Sequence, residues 1–164
     1  SLETLVQVLR VRRAIDRQTL ESLLSFRLIT ETTAAGEAAL RITHDEAGFL
    51  RKNLERKKLH LDNIPVLTEC DFDFHSAIIG ISGNIISRLV FQSFKPVYSF
   101  FTEFFYSIKG APEASLKLNR KLLGALTRGD AAASRKAMED ILKYGEKKVY
   151  EAIRGGGSVI LLGR

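Results

Sequence analysis

The sequence contains a single cysteine, no tryptophan and three histidines among its 164 residues. Because Cys70 cannot form a disulfide within the chain, we expect a reducing compartment and a cytoplasmic protein. No stretch approaches the ~18 consecutive apolar residues of a membrane span, and the N-terminus has no signal-peptide pattern. The sequence also lacks a nucleophile elbow, a paired Glu-x-x-His motif and a Gly-rich phosphate loop. We therefore expect a protein that is not an enzyme.

The composition is that of one compact domain. Apolar residues make up 45% of the chain, which is enough for a buried core. The net charge of +6 is compatible with an anionic partner such as nucleic acid, a phosphorylated ligand or a carboxylate. It is equally compatible with a basic domain that has no anionic partner.

The hydrophobic spacing predicts an all-α fold, because no bounded alternating run indicates a strand. Six or seven antiparallel helices joined by short loops would form a single bundle. We expect these helices over about residues 2–12, 16–38, 44–61, 65–82, 85–107, 113–127 and 131–154.

Helix-boundary signals support these limits. Thr43 and Glu46 have the spacing of a capping box, and Asp130 is a good N-cap for the last helix. Gly83 is suited to a left-handed C-cap. Pro96 lies inside the fifth predicted helix and should kink it or split it in two.

Asp71 and His75 are polar residues in a strongly apolar stretch. They lie four residues apart and share one face of the fourth predicted helix. Together they could bind a divalent metal if another helix supplied at least one more ligand. The alternative interpretation is a hydrogen-bonded Asp–His pair or a half-exposed helix edge.

Arg27 continues the apolar stripe of Leu23 and Leu24 on the second predicted helix. A buried arginine needs an anionic partner, because its charge cannot be discharged. It could hold an anion inside the bundle, or it could pair locally with Glu31 one turn further along.

The fifth and seventh predicted helices carry aromatic and basic residues. The fifth is rich in phenylalanine on nearly all sides, which predicts a helix deep in the bundle that could also line an apolar cavity. Near the end of the seventh, Lys143, Lys147, Lys148 and Arg154 lie close to Tyr144 and Tyr150. They form a solvated face or hold the phosphates of a nucleotide-like ligand.

Two motifs resemble a known family. Asp71-Phe72-Asp73-Phe74-His75 followed by Ser82-Gly83-Asn84 resembles the central signature of FCD domains, the ligand-binding domains of GntR-family transcription regulators. The resemblance implies a linker helix at residues 1–15 and an effector-binding domain at residues 16–164 with an internal cavity. It also implies a homodimer, and a winged-helix DNA-binding domain that precedes Ser1.

The sequence further resembles the FadR-like, fatty-acid-responsive branch of this family. Leu2-Glu3-Thr4-Leu5 is similar to its linker helix, and Leu23-Leu24-Ser25-Phe26-Arg27 to the start of its effector domain. This resemblance implies a long-chain acyl-CoA as effector. The Phe-rich helix would line an acyl tunnel, and the implied binding residues include Tyr98, Tyr144, Gly145 and Lys148.

Metal-binding members of the family use one Asp and three His. Asp71 and His75 match two of these positions, while Asn119 and Ile141 occupy the other two. A divalent metal, Zn or Ni, would thus have only half of the ligands that the resemblance implies. One alternative function is a metal-assisted sensor of a small carboxylate, with Arg27, Asp71, His75 and Asn119 converging. Another is a ligand-free dimerisation module, which would be favoured if Arg27, Asp71 and His75 were all solvent-exposed.

Overall fold

A computed structural model describes residues 17–154, and every regular element in that range is an α-helix. The described residues form seven helices, numbered in chain order: α1 (Arg17–Ala39), α2 (His44–Leu59), α3 (Ile64–Ile81), α4 (Ile85–Ser93), α5 (Lys95–Tyr106), α6 (Ala111–Thr127) and α7 (Ala131–Arg154). The predicted all-α class is confirmed. The predicted linker helix at residues 1–15 lies outside the described residues and stays a prediction.

Side-chain caps begin several of these helices where the sequence predicts. The Thr43 hydroxyl accepts a hydrogen bond from the Glu46 amide at 3.2 Å, and the Glu46 carboxylate accepts one from the Thr43 amide at 2.8 Å. Asp130 accepts from the amide of Ala133 at 2.9 Å. These bonds satisfy N–H groups that have no partner within the helix, so the chain enters α2 and α7 at defined residues.

Proline positions explain two further boundaries. The long fifth helix predicted from the sequence is split: α4 ends at Ser93 and α5 begins at Lys95, with Pro96 in its first turn. Helix α6 begins at Ala111, two residues before the predicted start. Pro112 is accommodated in its first turn, where a missing N–H costs nothing, and Gly110 adopts the left-handed conformation that directs the chain into α6.

Helix α3 has a central position in the bundle, since it contacts α1, α2, α4 and α5. Helix α1 packs mainly along α7. The largest apolar cluster joins α1, α2, α3, α6 and α7, and a second cluster around Leu20, Val97, Phe101 and Val149 joins α1, α5 and α7. The polar residues of α1 and α3 are therefore surrounded by other helices rather than by solvent.

Between Arg17 and Arg154, no helix combines the length and the apolar composition needed to cross a membrane.

Candidate functional site

A cluster of charged side chains lies inside the bundle, where α1 meets α3. Glu31 is fully buried and uses both carboxylate oxygens. Arg27 Nε donates to one oxygen at 2.6 Å, and His75 Nδ1 lies 2.5 Å from the other. An ionised carboxylate only accepts hydrogen bonds, so His75 donates to Glu31 from Nδ1. The predicted Arg27–Glu31 pair is thus present, and it also orients His75.

Asp71 is held by two tyrosines of α5. The hydroxyl groups of Tyr98 and Tyr106 each donate to one oxygen of the Asp71 carboxylate at 2.5 Å. His75 Nε2 lies 3.8 Å from the oxygen that Tyr98 contacts. Tyr98 also lies beneath the Arg27 guanidinium, 4.4 Å from ring centroid to Cζ, and so joins the arginine to the carboxylate.

Lys57 is a functional candidate that the sequence reasoning missed. Its ammonium group is fully buried and donates to Tyr106 Oη at 2.6 Å, Ser115 Oγ at 2.7 Å and Asn119 Oδ1 at 2.7 Å. It lies 3.5 Å from Asp71 Oδ1. The basic residues next to Lys57 in the sequence suggest a solvent-exposed helix face instead, which is why periodicity alone did not single it out.

Helical spacing was the available signal for Lys57. The buried residues of α2 are Ala47, Leu50, Leu54 and Lys57, and steps of three or four residues place all of them on one face. A charged residue that continues an apolar stripe is the same pattern that singles out Arg27.

These charged groups shift one another's pKa values. Burial would raise the pKa of Asp71, but the charges of His75 and Lys57 and the two tyrosine hydrogen bonds outweigh burial and lower it to about 2. Burial likewise opposes ionisation of Glu31, yet the charges of Arg27 and His75 lower its pKa. Burial lowers the pKa of Lys57, with the charge of Asp71 opposing it. Both carboxylates are therefore ionised at neutral pH.

A cavity of about 60 Å³ lies beside this cluster, between α1, α3, α5, α6 and α7. Its polar lining residues are Arg27, Asp71, His75, Thr102, Ser115, Tyr144 and Glu146. Its apolar side consists mainly of leucine and phenylalanine, and includes Leu20, Leu24, Phe101, Phe105, Leu142 and Val149. The cavity thus combines a charged end with an apolar wall.

The structure brings five of the eight predicted effector-binding residues to this cavity: Arg27, Asp71, His75, Tyr144 and Gly145. Tyr98 and Asn119 are buried but are not among its lining residues. Lys148 is turned to Glu151 and the Tyr144 ring instead, with Nζ 3.5 Å from a Glu151 oxygen. The roles of all eight residues in effector binding stay predictions.

A second cavity of about 420 Å³ lies at the same end of α1 and α7. It shares Leu20 and Glu146 with the first cavity, and its wall also contains Arg17, Tyr150 and Arg154. The two cavities are therefore neighbours, and the larger one lies close to exposed arginines.

The donor set around Asp71 does not fit a divalent metal. Within residues 17–154, no group of three or more His, Cys, Asp or Glu side chains is placed to hold a metal ion. Both Asp71 oxygens accept tyrosine hydrogen bonds, and the carbonyl oxygen of Asn119 accepts from Lys57. Ile141 lines the cavity but has no donor atom.

Comparison with solved structures gives related folds. The chain is similar to E. coli McbR/YncC with a TM-score of 0.75 and 17% identity, covering 85% of this chain and 68% of that one. It is also similar to Streptococcus agalactiae GntR with a TM-score of 0.63 and 24% identity, covering 77% of this chain and 57% of that one. The chain thus spans little more than half the length of the second structure.

Comparison with protein sequences gives one family. No curated protein matches the chain. The FCD domain family matches residues 21–144, which include α2 to α6 in full and all the cavity-lining residues except Leu20, Gly145, Glu146 and Val149. This chain therefore belongs to the FCD family, the effector-binding domains of GntR-family transcription regulators.

Proposed function

We propose that this domain senses a small organic acid, which binds in the 60 Å³ cavity with its carboxylate against Arg27 and its hydrocarbon part against the apolar wall. The observation that carries the proposal is that the Arg27 guanidinium has unused hydrogen-bond donors. One N–H group donates to Glu31 and another lies 3.4 Å from the Tyr98 hydroxyl, while the remaining ones have no acceptor among the described residues. They are available to a ligand in the cavity that Arg27 lines.

Arginine is suited to this role, because its planar guanidinium can donate two parallel hydrogen bonds to one carboxylate. Glu31 and Tyr98 hold the side chain in place, so little rotamer freedom is lost on binding. Ser115 and Thr102 also line the cavity, but the Thr102 hydroxyl already donates to the Tyr98 carbonyl oxygen. The Arg27 guanidinium would therefore supply the main donors to the charged group of the acid, without a metal ion.

The cavity volume favours a short acid. Pockets for drug-sized ligands have volumes of about 300–1,000 Å³. The cavity of about 60 Å³ is much smaller. An acid with a few carbon atoms fits this size, and Phe101 and Leu142 would contact its methyl or methylene groups.

Thermal unfolding with a graded set of acids tests the proposal. We would compare acetate, propionate and butyrate, each beside its neutral amide at equal ionic strength. Ligands that bind the folded state raise Tm. We expect the acids to raise Tm and the amides to leave it unchanged. Equal shifts from acids and amides would refute a carboxylate site.

Two variants locate the effect. Arg27→Gln combined with Glu31→Gln removes the pair without leaving a buried charge, and it should abolish the response to acids. Arg17→Gln is the matched control, because Arg17 pairs with Glu21 at the same spacing on the same helix but in an exposed position. A response that survives in the double variant would place the carboxylate elsewhere.

A long-chain acyl-CoA is the second candidate effector, supported by the larger cavity. The 420 Å³ cavity adjoins the smaller one at Leu20 and Glu146, and Arg17 and Arg154 in its wall could contact phosphates. Native mass spectrometry with palmitoyl-CoA tests this candidate. A bound acyl-CoA that is lost in the Arg17→Gln, Arg154→Gln double variant would favour it over the short acid. Absence of binding by the wild type would exclude it.

Effector binding would be relayed to DNA through a second domain. We propose that the full regulator is a homodimer that binds DNA through a winged-helix domain preceding Ser1. Solvent exposure of Arg27, Asp71 and His75 would favour a dimerisation module without ligand, whereas Asp71 and His75 are buried and the Arg27 side chain is 17% exposed. Sedimentation and DNA mobility-shift measurements on the full-length regulator, with and without the acid, test the assembly.

A further inference from the structure

The Lys57 ammonium group occupies a complete oxygen-lined site. An ammonium has three protons, and Tyr106, Ser115 and Asn119 accept one each at 2.6–2.7 Å. The Asp71 carboxylate lies 3.5 Å away and balances the charge. The oxygen atoms come from α3, α5 and α6, while the cation is tethered to α2. This arrangement resembles the coordination of a bound cation by protein oxygens.

The cation is also needed for charge balance. Arg27 is paired with Glu31, so the buried Asp71 has Lys57 as its fixed positive partner. An ionised carboxylate in the interior is unfavourable unless a cation and hydrogen bonds compensate it. Tyr98 and Tyr106 supply hydrogen bonds to Asp71 but no charge.

We propose that Lys57 is the resident cation of the Asp71 site and excludes divalent metals from it, so that this domain binds its effector without a metal. A metal on the Asp71 carboxylate would lie about 2.0–2.2 Å from an oxygen and hence within about 6 Å of the ammonium, which would repel it. Lys57 also uses the carbonyl oxygen of Asn119, which a metal would need. This inference does not depend on which acid binds at Arg27.

The most direct test introduces the two missing metal ligands, in one variant that keeps Lys57 and in another that lacks it. Asn119→His and Ile141→His would supply two imidazoles beside Asp71 and His75, since Ile141 lines the same cavity and Asn119 lies at the Lys57 site. This double variant is compared with the triple variant that also carries Lys57→Ala. The two proteins differ only in the Lys57 ammonium group and the three methylene groups that carry it.

Zinc binding is measured by titration calorimetry and by the metal content of dialysed protein. We expect no stoichiometric Zn²⁺ in the wild type, and a Zn²⁺ affinity at least about 100-fold higher in the triple variant than in the double variant. The proposal is overturned if the double variant binds Zn²⁺ as tightly as the triple variant. It is also overturned if the wild type binds one Zn²⁺ that Asp71→Asn removes.

A second measurement covers the case in which the triple variant does not fold. Lys57→Ala removes three methylene groups and the ammonium, and propylammonium replaces the same atoms. Propylammonium should raise the Tm of Lys57→Ala by binding its folded state, whereas tetramethylammonium at the same concentration and neutral propanol should not. The wild type should not respond to propylammonium. Equal responses to the three compounds would contradict a specific cation site at this position.

Discussion

The ion pair between Lys57 and Asp71 should be strongly coupled, and a double-mutant cycle can measure it. The two charges are buried 3.5 Å apart, which corresponds to about 5 kcal/mol of attraction at an effective dielectric constant of about 20. Lys57→Met keeps an unbranched apolar side chain but leaves Asp71 buried without its cation. We expect a loss of about 3–5 kcal/mol in the free energy of unfolding. Asp71→Asn should cost a similar amount, because it leaves the ammonium uncompensated.

The double variant should be much more stable than the sum of the two losses implies. Removing both charges leaves no isolated ion, and Tyr106 can still bond with Ser115. We expect a coupling energy of about 2–3 kcal/mol, at the upper end for residues in contact. Urea denaturation followed by circular dichroism gives all four free energies of unfolding.

An exposed pair provides the control for this cycle. Lys136 lies 2.7 Å from Asp140, but its side chain is 65% exposed, so Lys136→Met should leave the free energy of unfolding unchanged within error. A coupling energy below about 0.5 kcal/mol between Lys57 and Asp71 would refute the reasoning. The same conclusion would follow if Lys57→Met were as stable as the wild type.

Three further predictions concern stability and can be checked by urea denaturation. Thr43→Ala should cost about 1 kcal/mol because it removes the capping box of α2, and Thr43→Ser should restore most of it. Gly83→Ala should cost about 1 kcal/mol because Gly83 has φ +82°, whereas Gly80→Ala, in open space on α3, should stabilise by about 0.5–1 kcal/mol. The pKa of Asp71 is lowered from 3.8 to about 2, so its stabilisation is complete above pH 3.8 and is lost as pH falls to about 2. That loss is about 2 kcal/mol and should be absent in Asp71→Asn.

Most of the helical framework could be predicted from the sequence. The capping box at Thr43, the Asp130 cap and Pro96 act within one or two turns, so their effects depend on neighbouring residues alone. The start of α6 differed because Pro112 is compatible with both a break and a first turn. The choice between them depends on Gly110 and on packing.

The candidate site was predictable only in part. The face shared by Asp71 and His75, and the position of Arg27 on an apolar stripe, follow from helical periodicity. The same periodicity places Lys57 on the buried face of α2, but the neighbouring basic residues in the sequence suggest a solvent-exposed face. The identity of the effector, and the part that each of the eight predicted residues takes in binding it, stay predictions.

The sequence by itself determined the all-α class and nearly all helix limits, and it offered the Arg27–Glu31 pair as one of two alternatives, because these depend on interactions between residues a few positions apart. Only the tertiary structure decided what neutralises Asp71. Lys57 comes from α2, its oxygen partners come from α3, α5 and α6, and positions up to 62 residues apart meet there. Helical periodicity shows that a side chain faces inward, whereas the packing of the helices decides which other side chain it meets.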